Sequence, residues 1–293
     1  MNSKQRFLNV LSRKKTDRLP VTTHHLMPSF LKNYMNGISD QEFFDYFGLD
    51  PVKWIIAHTY DASKGEYFDP LQNEIGFLEA RRICTDNWMF TSEDINGLDY
   101  TTWRLNIVTP DKTLSMILQS DKHTTWLNEH VIKEKSDIDI LELGGGDAST
   151  TVISPDIFNE FVAPYDAPLI EAAHKAGQRI SYHTCGGMMP ILEDIASMKP
   201  DAMETFSPPA MGGDTVLAEA KKRIGDKVCM IGSFDQFHFF TGCSEQATRN
   251  EVRRCFEAAG TGGGFILSPS DHFFEADLKL IMAFADEAKK CIY

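Results

Sequence analysis

The feature that most constrains the fold of this chain is an alternation, in its second half, of short apolar runs with longer segments of helical spacing. The apolar runs are ILELGGGD (140–147), RISYHTCG (179–186), AMETFSPP (202–209), VCMIGSFD (228–235) and FILSPSD (265–271), and two more, PVTTHHL (20–26) and KWIIAHTYD (53–61), lie in the first half. Strands that alternate with helices pair in parallel through crossover connections. The pattern therefore predicts an α/β fold with a parallel sheet, and the seven runs are one fewer than an eight-stranded barrel needs.

Two further segments can be assigned from local signals. Ser154 is suited to cap a helix that has Pro155 at its first position, is divided near Pro164 and stops at Gly177. Between about residues 70 and 130, Trp, Thr and charged residues alternate, as in DYTTWRLNIVTPDKTLSMILQS, which predicts an antiparallel excursion. We expect residues 1–293 to form a single barrel domain that carries this excursion.

Composition and charge exclude several classes of function. The chain of 293 residues has a net charge of −13 and no basic run long enough to neutralise a nucleic-acid backbone. It contains no apolar run of about 18 residues, and its opening MNSKQRFLNVLSRKKTDR predicts an amphipathic helix rather than a secretion signal. Its six cysteines are scattered, as is typical of reduced thiols. We therefore expect a cytoplasmic protein that binds neither nucleic acid nor membrane.

Polar side chains follow the predicted strands, and the active sites of parallel α/β folds lie at the carboxyl ends of their strands. The residues at these ends include His24, His25, Asp147, His183, Cys185, Glu204, Asp235, Asp271 and His272. Glu204, Asp235 and Asp147 are candidate catalytic residues for acid–base chemistry. His24 and His25 are candidate cofactor-binding residues, and we expect only one of them to face the pocket because neighbours on a strand point to opposite faces.

His183 and Cys185 are the strongest candidates for metal ligands. Alternate residues of an extended strand share a face, so both side chains point the same way just before Gly186 and Gly187. An imidazole and a thiolate together bind Zn²⁺ well, and the two glycines are expected to leave the space above the metal open. The alternative is that Cys185 is a small buried apolar residue and His183 a hydrogen-bonded core residue.

Several stretches of the sequence resemble the uroporphyrinogen decarboxylase superfamily, and within it the corrinoid-dependent methyltransferases. They are GGGDASTTVISPDIFNEFVAPYDAPLIEAAHKAGQRISYHTCGGMMPILEDI, VCMIGSFDQ, GGGFILSPSDH and the opening SKQRFLNVLSRKKTDRLPV. The resemblance covers nearly the whole chain, and it implies a (β/α)8 barrel with zinc held by an H-x-C motif, here His183 and Cys185, and by a distant third ligand.

The chain departs from this pattern in two ways. Where the methyltransferases have their distant cysteine, the sequence reads SPSDH, so Asp271 or His272 is expected as the third zinc ligand and Glu204 is the rival. The alternative for Asp271 is an N-cap of a helix that starts near Phe273. Relatives also carry an additional stretch before GGGDAS, so the chain is expected to lack one βα unit near residues 138–143. A neighbouring element, or a second copy of the chain in a homodimer, would then close the barrel.

The resemblance implies a zinc-dependent methyltransferase that moves a methyl group between a small-molecule donor or acceptor and a corrinoid. The sequence lacks the D-x-H-x-x-G pattern of corrinoid-binding domains, so a separate corrinoid carrier protein is expected as the partner. A carboxylate or imidazole as the third ligand makes the site harder than that of the family, which favours an oxygen- or nitrogen-linked methyl donor.

Two classes of protein other than a methyltransferase stay open, a metal-free lyase and a non-catalytic barrel. A decarboxylase of porphyrinogens would need convergent arginines to hold the substrate carboxylates, and the predicted strand ends carry none. A metal-free lyase that uses Asp147, Glu204 and Asp235 is one alternative. The missing βα unit suggests the other, a shortened and non-catalytic barrel.

Overall fold

The computed structural model describes residues 1–52, 65, 67–68, 83–86, 89–110, 113–120, 125–129 and 139–293. The chain divides into two compact units, one formed by Met1–Trp54 together with Ile138–Tyr293 and the other by Ile55–Asp137. The predicted strand KWIIAHTYD (53–61) lies outside the described residues. The single domain expected over residues 1–293 stays a prediction.

Three helices precede the sheet in the larger unit, and side-chain caps mark the start of the first and the third. They are α1 (Ser3–Leu11), α2 (Pro28–Tyr34) and α3 (Asp40–Phe47). Asn2 and Ser39 each form a capping box with the residue three positions later, which satisfies backbone N–H groups at the start of α1 and α3. The third helix ends at Gly48, whose left-handed backbone (φ 63°) suits glycine.

A buried carboxylate ties this N-terminal segment together. Asp50 is fully buried and accepts hydrogen bonds from Arg6 Nη1 at 2.5 Å, Arg18 Nη1 at 2.9 Å and Ser3 Oγ at 2.8 Å. It also accepts one from the backbone N–H of Val21 at 3.1 Å. A buried charge is tolerated only when it is paired and hydrogen-bonded, so this network fixes the first helix against the chain at Val21.

The smaller unit contains antiparallel sheets, which confirms the predicted excursion. Its strands are β1 (Tyr67–Phe68), β2 (Ile83–Cys84), β3 (Met89–Ile95), β4 (Thr101–Val108), β5 (Thr113–Ser120) and β6 (Thr125–Glu129). The first two strands pair with each other, and the other four form a sheet in sequential order. Leu105 and Leu118 are buried in a small apolar cluster of this sheet.

A parallel sheet of five strands lies at the centre of the larger unit. The strands are β7 (Leu141–Gly144), β8 (Ile180–His183), β9 (Ala202–Thr205), β10 (Cys229–Phe234) and β11 (Phe265–Pro269), and their spatial order is β11-β10-β9-β8-β7. Val21 forms a parallel bridge with Leu267 of β11. The first and last predicted strands are therefore neighbours, as they are in a TIM barrel.

The two faces of this sheet differ because successive side chains of a strand point to opposite sides. One face carries Leu143, Tyr182, Met203, Met230 and Leu267, which belong to the main apolar core with the surrounding helices. On the other face, Ala202, Cys229 and Ile266 pack with Val10 and Leu11 of α1 near the amino ends of the strands. Further along this second face the side chains become polar, which positions the candidate site at the carboxyl ends.

Seven helices follow or separate the parallel strands. They are α4 (Pro155–Phe161), α5 (Ala163–Lys175), α6 (Leu192–Ser197), α7 (Leu217–Ile224), α8 (Gln236–Phe239), α9 (Glu245–Cys255) and α10 (Leu278–Lys290). Ser154 caps α4, the helical segment is divided between Phe161 and Ala163, and Gly177 (φ 76°) follows its end, all as predicted. Within the described ranges, every helix is too short or too polar to cross a lipid bilayer.

The fold is α/β and of the TIM-barrel type, as predicted. Five of the seven predicted strands are present as β7 to β11, a sixth is represented by the bridge at Val21, and the seventh is the segment outside the described residues. The run at 140–147 forms β7 directly beside β8. The loss of one βα unit near residues 138–143 stays a prediction.

Candidate metal centre

Three neighbouring strands bring acidic and imidazole side chains together at the polar end of the sheet. His183 is the last residue of β8, where it pairs in register with Gly144 of β7 and Glu204 of β9. Its Nδ1 lies 3.2 Å from Glu204 Oε1 and 3.9 Å from Glu142 Oε1. One imidazole is thus placed between two carboxylates that come from the strands on either side.

These contacts raise the pKa of His183 and that of Glu142. Burial disfavours the charged imidazole of His183, but hydrogen bonds with Cys185 and Glu204 and the charges of Glu204 and Glu142 outweigh it and raise its pKa to about 10. Burial and the nearby charge of Glu204 raise the pKa of Glu142 to about 7. His183 therefore carries a proton near pH 7 in the metal-free protein, and a bound metal ion would displace it.

Cys185 follows β8 by two residues and shares the site with His183. Its side chain hydrogen-bonds with His183, and its Sγ lies against Gly146. A Cβ at position 146 would be 2.5 Å from this sulfur, which is closer than any real contact, so only glycine leaves room for the thiol. His183 and Cys185 are thus in contact at this strand end, and their joint role as zinc ligands stays a prediction.

The two glycines after Cys185 do not leave open space, contrary to our expectation. A Cβ at Gly186 would be 2.6 Å from Thr151 Oγ1, and one at Gly187 would clash with Thr150. Gly186 also has φ 91°, which favours glycine. Both glycines therefore accommodate the hydroxyl-bearing loop at Ser149–Thr151, which packs closely on the turn after β8.

His24 joins this group from the segment that follows Val21. The ligand atoms of His24, His183 and Glu204 all lie within 4.8 Å of one another, and the His24 and His183 rings are 5.9 Å apart. His24 is only 5% exposed, and its burial lowers its pKa to about 4, so its imidazole is neutral near pH 7. A neutral imidazole is the form that binds a metal ion.

The rings of His25 and His272 both lie beside the ring of His24. The ring centroids of His24 and His272 are 4.7 Å apart, those of His25 and His272 are 5.0 Å apart, and His25 Nδ1 lies 2.9 Å from His272 Nε2. Burial lowers the pKa of His25. The expectation that only one of His24 and His25 faces the site was wrong, because the chain bends at His24 and the alternation of an extended strand no longer applies there.

A family model for uroporphyrinogen decarboxylase (URO-D) matches residues 135–291, more than half of the chain. The chain belongs to the uroporphyrinogen decarboxylase family. The match contains the whole parallel sheet and the residues His183, Cys185, Glu204 and His272, whereas His24 and His25 lie outside it.

One curated protein and one solved structure are similar to parts of this URO-D family chain. It is 28% identical over 150 residues to a curated uroporphyrinogen decarboxylase of Chromohalobacter salexigens, a match that covers 50% of this chain and 38% of that protein. A solved methyltransferase from Methanosarcina mazei has 20% identity and a TM-score of 0.44, and this match covers 53% of this chain and 42% of that one. The chain thus spans about two fifths of the length of either relative.

The remaining predicted residues of this URO-D family site have other contacts. Asp271 Oδ1 accepts hydrogen bonds from the backbone N–H of His272 and from its Nδ1, the latter at 2.8 Å. Asp271 does not cap a helix, since α10 begins at Leu278 and is capped by Asp277. Asp235 is buried, caps α8 and accepts a hydrogen bond from His238 Nδ1 at 2.8 Å.

Asp235 lines a separate cavity of about 530 Å³ together with Glu251 and Arg254. Asp147 is exposed in the short turn after β7. Among the described contacts, neither aspartate joins the group around His183.

Sequence reasoning missed Glu142, which the structure places on β7 beside both His183 and Glu204. The signal was present, because Glu142 interrupts an otherwise apolar strand run in ILELGGGD. A carboxylate in an apolar strand run of a parallel sheet is a candidate for a paired or functional group. The partner is an imidazole on the neighbouring strand.

Proposed function

We propose that this protein is a zinc-dependent methyltransferase that moves a methyl group between a small molecule and a corrinoid held by a separate carrier protein. The observation that carries the proposal is the meeting of His183 and Glu204, 3.2 Å apart at the carboxyl ends of two neighbouring parallel strands, with Cys185 in contact with His183. These residues supply nitrogen, sulfur and oxygen, which are the three donor types of zinc sites in proteins.

The spacing of the donors fits one metal ion. Two ligands bound to zinc at about 2.0–2.1 Å with a tetrahedral angle between them lie about 3.4 Å apart. His183 Nδ1 and Glu204 Oε1 are 3.2 Å apart, so both could bind the same ion with little movement. We therefore propose Glu204 as the third ligand. The assignment of that role to Asp271 or His272 stays a prediction that the same measurement tests.

Other residues would support this site rather than bind the ion. Glu142 Oε1 lies 3.9 Å from His183 Nδ1 and would add negative charge beside a bound cation. Gly146 leaves the space that Cys185 Sγ occupies. Bound zinc would supply Lewis-acid polarisation of the heteroatom that carries the methyl group. Because only one thiolate belongs to this set, the site suits an oxygen- or nitrogen-linked methyl donor better than a thiol.

The test is to measure zinc and methyl transfer together. Protein purified without chelator is expected to contain zinc, of which about one equivalent is lost in Cys185→Ser and in Glu204→Ala, while a surface control, His174→Ala, keeps it. Methyl ethers and methylated amines are then offered with reduced free cobalamin, and methylcobalamin is followed by its absorption. Full zinc content in Cys185→Ser would contradict the proposal, and so would the absence of methylcobalamin with every donor of both classes.

A decarboxylase is the second candidate, since the curated relative from Chromohalobacter salexigens carries that name. A substrate with many carboxylates would need free guanidinium groups at the site. Several arginines in the described part of the chain bind structural carboxylates instead: Arg6 and Arg18 bind Asp50, Arg223 binds Glu193, and Arg254 binds Glu251. Release of carbon dioxide from a porphyrinogen by zinc-free protein would favour this candidate over the methyltransferase.

A further inference from the structure

We propose that His24, His25 and His272 form a second metal site, which takes a divalent first-row transition ion and is separate from the ion held by Cys185. The ligand atoms of these three histidines all lie within 4.8 Å of one another. Three imidazoles without a thiolate are a donor set suited to zinc, copper, nickel or iron. The inference does not depend on the proposed methyl transfer.

The closest pair of nitrogens already has the spacing of two ligands on one ion. His25 Nδ1 and His272 Nε2 are 2.9 Å apart. With metal–nitrogen bonds of about 2.0–2.1 Å, two ligands at a right angle are about 2.9 Å apart and two at a tetrahedral angle about 3.4 Å. The pair therefore needs little or no movement to bind an ion together.

Asp271 determines which ring nitrogen of His272 is free to bind the ion. The carboxylate of Asp271 can only accept, so His272 Nδ1 must be the donor in their 2.8 Å hydrogen bond. In the neutral ring the other nitrogen, Nε2, then carries the lone pair, and it is this nitrogen that faces His25. A carboxylate that holds the second nitrogen of a ligating histidine is the usual support of such a ligand. Asp271 is thus a positioning residue rather than a ligand.

His24 lies between the two groups and belongs to both, since its ligand atoms also come within 4.8 Å of those of His183 and Glu204. It is buried, and its ring makes edge contacts with His25 and His272 at centroid distances of 4.5 and 4.7 Å. An imidazole has two ring nitrogens on different sides, so one can bind the second ion while the other faces Glu204. In the neutral ring only one nitrogen has a free lone pair, so His24 is a ligand of the second ion and a neighbour, not a ligand, of the first.

Cobalt titration of the metal-free protein tests the second site, with bound cobalt measured by equilibrium dialysis and elemental analysis. Wild-type protein is expected to bind two equivalents. His25→Ala and His272→Ala should each bind one and keep the thiolate-to-cobalt charge-transfer absorption that reports Cys185. Cys185→Ser should lose that absorption and keep the other equivalent. His174→Ala, a histidine on the surface of α5, is the matched control and should bind like wild type.

Asp271→Asn provides a milder variant, because its side chain is 45% exposed and its loss disturbs little packing. It should weaken the binding of one equivalent about 10- to 100-fold while leaving the charge-transfer absorption unchanged. The proposal is overturned if His25→Ala, His272→Ala and Asp271→Asn all bind cobalt as wild type does, which would leave only a hydrogen-bonded histidine pair. It is also overturned if these variants lose the thiolate absorption together with the cobalt, since a single shared ion would then be present. A wild-type response in Cys185→Ser would instead contradict the zinc site of the proposed function and leave this inference standing.

Discussion

His183 Nδ1 and Glu204 Oε1 lie 3.2 Å apart, although 21 residues separate them in the chain. The parallel register of β8 and β9 sets the two residues opposite each other, and both lie on the face of the sheet that carries Ala202 and Cys229. Because one side chain is imidazole and the other carboxylate, the pair either forms a salt bridge or holds an ion between its atoms. If the pair only forms a salt bridge, replacing Glu204 leaves the metal content unchanged. If the pair holds an ion, the same replacement removes it.

Glu204→Ala should therefore remove zinc, whereas Asp271→Ala should keep at least the ion that Cys185 holds. Loss of one of three protein ligands leaves His183 and Cys185 alone, and two donors are too few for a stable zinc site. Zinc per chain, measured by elemental analysis after gel filtration, gives the answer. If Asp271→Ala or His272→Ala empties the Cys185 site and Glu204→Ala does not, the third ligand lies in SPSDH.

Gly146→Ala should weaken zinc binding without unfolding the protein. The added methyl group would lie 2.5 Å from Cys185 Sγ, so the sulfur must move away from the position beside His183. Gly145→Ala is the matched control, because its methyl group would meet only the flexible end of the exposed Asp147 side chain. Competition with a chromogenic chelator should show at least a 10-fold loss of zinc affinity in the first variant and little change in the second. Equal affinities would mean that Cys185 does not bind the ion.

Asp50→Ala should be destabilising, by about 2–3 kcal/mol, because Arg18 and the backbone N–H of Val21 lose their buried acceptor. Arg6 also loses one of its two carboxylate partners and keeps Asp17. Asp139→Ala is the control, since the Asp139 ion pair with Lys4 is exposed on both sides and should contribute less than about 1 kcal/mol. Urea unfolding followed by circular dichroism measures both free energies. Similar values for the two variants would show that the Asp50 network adds little to stability.

The metal-free protein should lose stability as the pH falls from about 6.5 toward 4, and His24 should be one cause. Burial lowers the pKa of His24 to about 4, whereas in the unfolded chain it takes up its proton near pH 6.5. Between these values the unfolded state binds more protons, so the free energy of unfolding decreases with falling pH, by roughly 3 kcal/mol from this residue.

The raised pKa of His183 makes the protein more stable as the pH falls, which is the opposite effect. Because wild type and His24→Gln both contain His183, the difference between them reports His24. Urea unfolding in chelator at several pH values, for wild type and His24→Gln, should give curves whose difference shrinks as the pH falls. Parallel curves would show that His24 is not protected from protonation in the fold.

The strands and their polar ends were predictable because they depend on short-range patterns. Runs of β-branched and apolar residues predicted β7 to β11, and the run VISPDIFNEFVAPYDAP predicted both the cap at Ser154 and the division of the helix. The pairing of His183 with Cys185 was also predictable, since only two positions separate them. Each of these features is decided within one turn or one strand, where neighbouring residues largely determine the backbone.

Contacts between distant segments were not accessible in the same way. Which carboxylate meets His183 depends on the register of β8 against β9 and β7, and a shift by one residue would turn Glu204 and Glu142 to the opposite face. The meeting of His24, His25 and His272 depends on the bend after Val21 and on the closeness of the first and last strands. Local pattern thus determines which residues stand at the carboxyl ends of the strands. The packing of the sheet and its loops determines which of them share one ion, because that depends on distances between segments that are far apart in the chain.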